Sequence, residues 1–216
     1  MGDTGKPTGL WLEEVAAPYY AFKDAGINVE IASIKGGTVP IDPRSLKEIG
    51  NNPPSVDRFL QDKQAMSLIK NTKRIDNIDT AKHSVIFLPG GHGTMWDLPE
   101  SKVLAGIVTQ TLQDGRIVSA VCHGPAGLVS AKDINGNPVV KGLKVTAFTN
   151  SEEEAVGLTD DVPFLLETRL RELGAEVIIG PDFEPHAVAD GNLITGQNPA
   201  SSGKVAELII QQLQNK

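Results

Sequence analysis

The sequence contains one cysteine, Cys122, among 216 residues. A single thiol excludes an intramolecular disulfide framework and a Cys-rich zinc module, and it suits a reducing compartment. No apolar run approaches the roughly 20 residues that a membrane span requires. There is no basic excess either: 20 Lys and Arg stand against 27 Asp and Glu, for a net charge of -7. That balance argues against a nucleic-acid surface, which needs a basic stripe. The start MGDTGKPTG lacks the apolar h-region of a secretory signal. Lys6 also occupies the position where a myristoylation signal has Ser or Thr, so a cytoplasmic location is expected. No GxxxxGK[ST] loop is present, and the GGHG run fails to complete GxGxxG because Trp96 stands where the third glycine belongs.

What is present is ordinary for a folded soluble chain: 40% apolar and 22% charged residues, enough to bury a core without staples. No internal repeat or low-complexity linker divides residues 1–216, so one domain is expected. Apolar periodicity and stop signals predict a helix over Leu10–Ala25 with Pro18 inside it, a strand over Asn28–Ser33 and a long irregular connection over Lys35–Pro54. They predict a helix over Val56–Ile69, a strand over Ser84–Leu88, and a helix over Ser101–Gln113 capped by Ser101. A strand at Val145–Thr149, helices at Ser151–Val156 and Pro163–Leu173, and a strand at Ala175–Ile179 follow. Two short strands about Asp190-Gly191-Asn192 and a closing helix over Ser201–Gln214 end the chain. Strands alternating with helices imply a mostly parallel sheet covered on both faces.

The most informative stretch is Ile117–Leu128, IVSAVCHGPAGL. A buried strand runs into Cys122, and His-Gly-Pro and a helix-like run follow, as in a nucleophile elbow. Backbone N–H groups at the start of that run are expected to favour the thiolate, the nucleophilic form. An inert packed thiol is the plainer alternative, but Cys122 at a strand end before His123 favours function. His123 can accept the thiol proton as neutral imidazole or stabilise the thiolate as imidazolium. In a parallel sheet, ligands bind beyond the carboxyl ends of the strands. That rule gathers the loop after Leu88, Cys122, the segment after Phe148 and the segment after Thr195. The N–H groups of Gly91 and His123 are candidates for an oxyanion hole. Any of Glu152, Glu153 and Glu154 can orient His123, while Glu13 and Glu14 look like plain helix carboxylates. Met95 and Trp96 can line a pocket or pack at a rim. His83, His92 and His186 show no paired ligand spacing, so no metal site is predicted.

AVCHGPAGL, FLPGGHGTMWDLP, TGLWLEE, FTNSEEEAVGL, VPFLLE and DGNLITGQNPASS together resemble the ThiJ/PfpI superfamily. Within it the resemblance is to the branch of thirty-one-kilodalton heat-shock chaperones and glutathione-independent glyoxalases (glyoxalase III), and it spans Thr4 to the end. It implies a flavodoxin-like three-layer α/β sandwich related to class I glutamine amidotransferases. It implies a catalytic set of Cys122 as nucleophile, His123 as its base and Glu153 as orienting acid, with Glu152 the alternative register. Glu14 is implied to hydrogen-bond the nucleophile and shuttle protons, and Gly91 and His123 to supply the oxyanion donors. The implied activity is a lyase conversion of a small 2-oxoaldehyde, methylglyoxal or glyoxal, to lactate or glycolate without a cofactor or metal. A holdase that binds unfolded proteins in stress, or a Cys-dependent hydrolase (deglycase or peptidase), are the alternatives. The resemblance also implies a homodimer. One departure stands out: relatives begin with an apolar strand before the GDTGK-like loop, and here that usual first strand is missing.

Overall fold

The computed structural model describes residues 1–215. Its centre is a four-stranded sheet in the order β3-β4-β8-β7, built from β3 (Val85–Leu88), β4 (Ile117–Val121), β7 (Ala187–Asp190) and β8 (Leu193–Gly196). β3, β4 and β8 run parallel, and β7 returns antiparallel through the predicted turn at Gly191. Every residue of β4 is buried, as expected of a parallel strand covered on both faces. Ile117 faces a cluster with Phe22 and Ile209, from α1 (Glu13–Asp24) and α8 (Ser202–Gln214). Val118 and Ala120 face the opposite layer with Leu104 and Val108 of α5 (Lys102–Gln113). Ser101 accepts from the Leu104 N–H at the start of α5 and fixes its entry. These layers form the expected flavodoxin-like sandwich.

Two short parallel pairs flank this sheet: β1 (Ala32–Ser33) with β2 (Lys73–Arg74), and β5 (Lys144–Val145) with β6 (Glu176–Val177). The strand expected at Asn28–Ser33 is therefore ladder-paired only at its end. Residues 28–31 belong to no ladder, and no strand lies between them and β3 among the described residues. A cavity of about 680 Å³ occupies that place, lined by Val29 and Ile31 on one side and Val85 and Phe87 on the other. Among the described residues, the outer edge of β3 and residues 28–31 thus face each other across this cavity without a ladder between them.

Other local differences have local causes. The helix expected over Val56–Ile69 is two, α2 (Pro54–Gln61) and α3 (Lys63–Lys70). Asp62 breaks it because its carboxylate accepts from the N–H groups of Gln64 and Ala65 and caps α3. Beyond Val145 the expected strand loses its ladder: the Thr146 N–H donates to Thr195 Oγ1 at 2.8 Å, and the Phe148 N–H to the Cys122 carbonyl at 2.9 Å. The loop after β3 carries a single turn, α4 (Thr94–Asp97); its Met95 and Trp96 pack into the core rather than line a pocket. The remaining helices are α6 (Asn150–Ala155) and α7 (Leu166–Glu172). Among the described residues no helix is long and apolar enough to cross a membrane.

Candidate active site

Cys122 follows β4 directly and sits at φ 59°, a left-handed conformation that costs a non-glycine residue of order 1–3 kcal/mol. It is held there from both sides. Its N–H donates to the Gly196 carbonyl of β8, and its carbonyl accepts from Phe148. The following Gly124–Leu128 is one buried stretch of 3₁₀ helix containing Pro125, not an α-helix. No α-helix backs the thiol, and it is pushed well above its usual range. Burial is the main cause, and the charge of Glu14 adds to it. The N–H groups of Gly91 and His123 oppose that shift.

The sulfur lies 3.2 Å from Nδ1 of His123. On the far side of that ring, Nε2 is 2.7 Å from Oε2 of Glu153. Glu153 comes from α6, which Thr149 opens with a capping box to Glu152. Consecutive helix residues point about 100° apart, so Glu152 cannot also face His123. Its Oε1 instead accepts from Phe183 N–H and the side-chain amides of Gln197 and Asn198. Glu153, not Glu152, stands at the imidazole, and Glu154 is exposed.

Burial lowers the His123 pKa to about 4 despite the carboxylate beside it. Burial would raise Glu153, but hydrogen bonds from His123 and His92 outweigh it and hold it at about 2. The resting site is thus a neutral thiol and a neutral imidazole backed by a carboxylate. Of the two roles open to His123 in the sequence, this geometry favours acceptance of the thiol proton.

Glu14, from the first turn of α1, is fully buried. Its Oε2 accepts from the Gly90 N–H at 2.6 Å. Its Oε1 has no partner of good hydrogen-bond geometry; the group facing it is the Cys122 thiol, with which it couples electrostatically. Such contacts are often loose before substrate binds. Burial pushes Glu14 up to about 8. Because Oε2 accepts, the proton of the neutral acid resides on Oε1, toward the sulfur. The neighbouring glycines allow this approach. A Cβ on Gly90 would meet the backbone nitrogens of His123 and Gly124 at 2.6 Å, and one on Gly91 would meet the Gly9 carbonyl oxygen at 2.3 Å.

Two residues outside the sequence prediction complete the site. His92, in the GGHG run, places Nε2 2.7 Å from Oε1 of Glu153. Arg44, in the long connection, reaches Nδ1 of His92 at 3.1 Å. Arg44 in turn forks onto buried Asp42 at 3.0 and 2.6 Å. The only sequence signal for His92 is its place just past a strand among glycines. Nothing in the local sequence marked Arg44. His92, His123 and Glu153 have ligand atoms within 4.8 Å of one another, close enough to share a cation. Both rings are already engaged with the carboxylate, and the adjacent guanidinium opposes a second positive charge.

Above the sulfur lies a pocket of about 290 Å³. Trp11, Phe148, Val156, Phe183 and Pro199 supply its apolar walls, and Arg44, Gly91, His92 and Cys122 its polar end. The larger cavity beside β3 shares no lining residue with this pocket.

A mostly parallel sheet covered by helices on both faces, with a strained cysteine corner at its carboxyl edge, places the chain in the flavodoxin-like class of α/β proteins. The chain belongs within that class to the DJ-1/PfpI family, whose model matches residues 9–212. It is 33% identical to Glyoxalase 3 of Candida albicans over 213 residues, covering 95% of this chain and 90% of that protein. It is 30% identical to the glutathione-independent glyoxalase HSP31 of Saccharomyces cerevisiae, covering 98% and 92%. Among solved structures it matches the Rapid Encystment Protein 24 KDa of Francisella tularensis with a TM-score of 0.94 at 39% identity, covering 99% and 93%.

Proposed function

We propose that this chain is a glutathione-independent glyoxalase that converts methylglyoxal or glyoxal to lactate or glycolate. One observation carries the reading: the Cys122 sulfur sits between a neutral imidazole nitrogen at 3.2 Å and a buried carboxyl whose facing oxygen has no other partner. A nucleophile flanked by two proton carriers suits a reaction that adds a thiol and then moves a proton between adjacent carbons. The names of the two glyoxalase relatives support it.

In this mechanism Cys122 Sγ attacks the aldehyde carbon while His123 Nδ1 takes the thiol proton. The new alkoxide accepts hydrogen bonds from the N–H groups of Gly91 and His123, and His123 returns the proton to give a hemithioacetal. A proton then leaves C1 for a base, forming an enediol, and is delivered to C2. Glu14 and His123 are the two groups able to carry it. Glu14, near 8, is competent both as base and as acid close to neutral pH. The product is a thioester, and water releases the hydroxy acid and restores the thiol. Nothing is oxidised or reduced overall, so the reaction requires no redox cofactor. The substrate partner is a small 2-oxoaldehyde, and the apolar walls limit water during the enediol stage.

The test is to incubate purified protein with methylglyoxal in the absence of glutathione, beside Cys122→Ser, and to measure lactate. Lactate from the wild type and none from the variant is expected. A silent wild type, or an equally active variant, would sink the proposal. Aggregation suppression that persists in Cys122→Ser without any lactate would favour a holdase instead.

A further inference from the structure

The hydrogen bonds around Glu153 have a direction that the chemistry of their ends dictates. A guanidinium has five N–H donors and no acceptor. The Arg44 Nη2 that lies 3.1 Å from His92 Nδ1 must therefore donate, and Nδ1 must hold a lone pair. The single ring proton of His92 then sits on Nε2, where it donates to Glu153 Oε1 at 2.7 Å. A doubly protonated His92 would set an N–H against an N–H and one cation against another. From the opposite end, an ionised carboxylate only accepts, so His123 Nε2 also donates, to Oε2. His123 Nδ1 is left with the lone pair that faces the thiol. Both lines of reasoning give one proton placement: Arg44 donates to His92, His92 to Glu153, and His123 to Glu153.

We propose that Arg44 and His92 are positioning residues that fix the carboxylate of Glu153, and with it the tautomer of His123 that can act as the base of the glyoxalase site. This rests on the function proposed above, and it assigns a task to two residues that the cysteine motif does not contain. His92 fills the second oxygen of Glu153, so the carboxylate has one free oxygen and one orientation for His123. Arg44 holds the opposite end of the His92 ring through Nδ1, so the Nε2–H keeps its aim at Glu153 Oε1. Arg44 is itself anchored. The Asp42 carboxylate accepts from Arg44 Nε, Nη2 and backbone N–H and from the Thr8 hydroxyl. The long connection after β1 thereby reaches the site by way of one buried aspartate. The charged and titratable groups facing this chain are Asp42, Arg44, His92, His123, Glu153, Cys122 and Glu14.

The experiment reads ring protons directly. Long-range ¹H–¹⁵N spectra of ¹⁵N-histidine-labelled protein near pH 7 should show His92 and His123 both with the proton on Nε2. Arg44→Met should shift the unprotonated Nδ1 resonance of His92 toward that of a ring nitrogen with no donor on it, whereas Arg44→Lys, which still donates, should preserve it. Alkylation of Cys122 by iodoacetamide needs no substrate. It should slow on the order of tenfold in His92→Leu, the scale on which lost orienting partners act. His92→Gln should recover it, because its amide N–H can serve Glu153 while its carbonyl accepts from Arg44. A wild-type His92 carrying its proton on Nδ1 overturns the proposal without any variant. So does an unchanged His92 spectrum in folded Arg44→Met, or His92→Gln alkylating as slowly as His92→Leu. If the wild type makes no lactate but the spectra behave as described, the glyoxalase reading fails while the proton placement stands.

Discussion

Glu14→Gln should make the protein more resistant to alkaline pH while disabling it. In the unfolded chain this carboxyl ionises near 4.5, whereas burial in the native site raises it to about 8. Between those values the native state binds more protons than the unfolded state, so stability falls as pH rises across that window and levels off above it. At 1.36 kcal/mol for each pH unit, the full effect is about 5 kcal/mol, comparable with the whole stability of a marginal domain. Glutamine keeps the shape: its carbonyl accepts from Gly90, its amide N–H faces the sulfur, and it has no charge to bury. Urea unfolding, followed by tryptophan fluorescence at intervals from pH 5 to 9, should give curves for the two proteins that diverge with rising pH in favour of Glu14→Gln. Lactate formation should fall on the order of a hundredfold, the usual worth of a positioned proton carrier. Wild type and variant running parallel across this pH range would refute the buried neutral carboxyl, and with it the proton on Oε1.

The acid side has the opposite sign. Burial keeps His123 neutral down to about 4 against an ordinary 6.5, so stability should drop as pH falls between those values, and His123→Gln should lack that drop in the same urea series. Phe183, at the mouth of the pocket, also holds a left-handed φ of 59°. Phe183→Gly should therefore be more stable than Phe183→Ala by about 1 kcal/mol, the reverse of the usual order of these residues; thermal melts of the two variants compare them directly.

Much of this architecture could be read from local pattern. β4 was visible as a run of small and β-branched residues without a charged position, because a strand covered on both faces has no solvent side. α5 was bounded by Ser101 because a cap satisfies backbone donors within three residues. The register of the acidic run was fixed by a capping box, yet which glutamate met His123 depended on the direction in which α6 pointed its side chains. Residues 28–31 have the alternation of a strand, but strands exist by pairing, and the neighbour they need is absent from the described chain. Asp62 was a helix break that periodicity overlooked, since the apolar residues on both sides keep helical spacing.

The sequence by itself determined the elbow. Cys122 and His123 are adjacent, and small and β-branched residues before them make a buried strand whose end must turn. Only the tertiary structure decided how that thiol is held. Glu14 meets it because α1 packs its first turn against Gly90, and Arg44 reaches His92 across 48 residues of chain. The resting proton state also belongs to the fold. Thiol, imidazole and carboxyl each have ordinary ionisation in an open chain, and burial beside one another is what moves them.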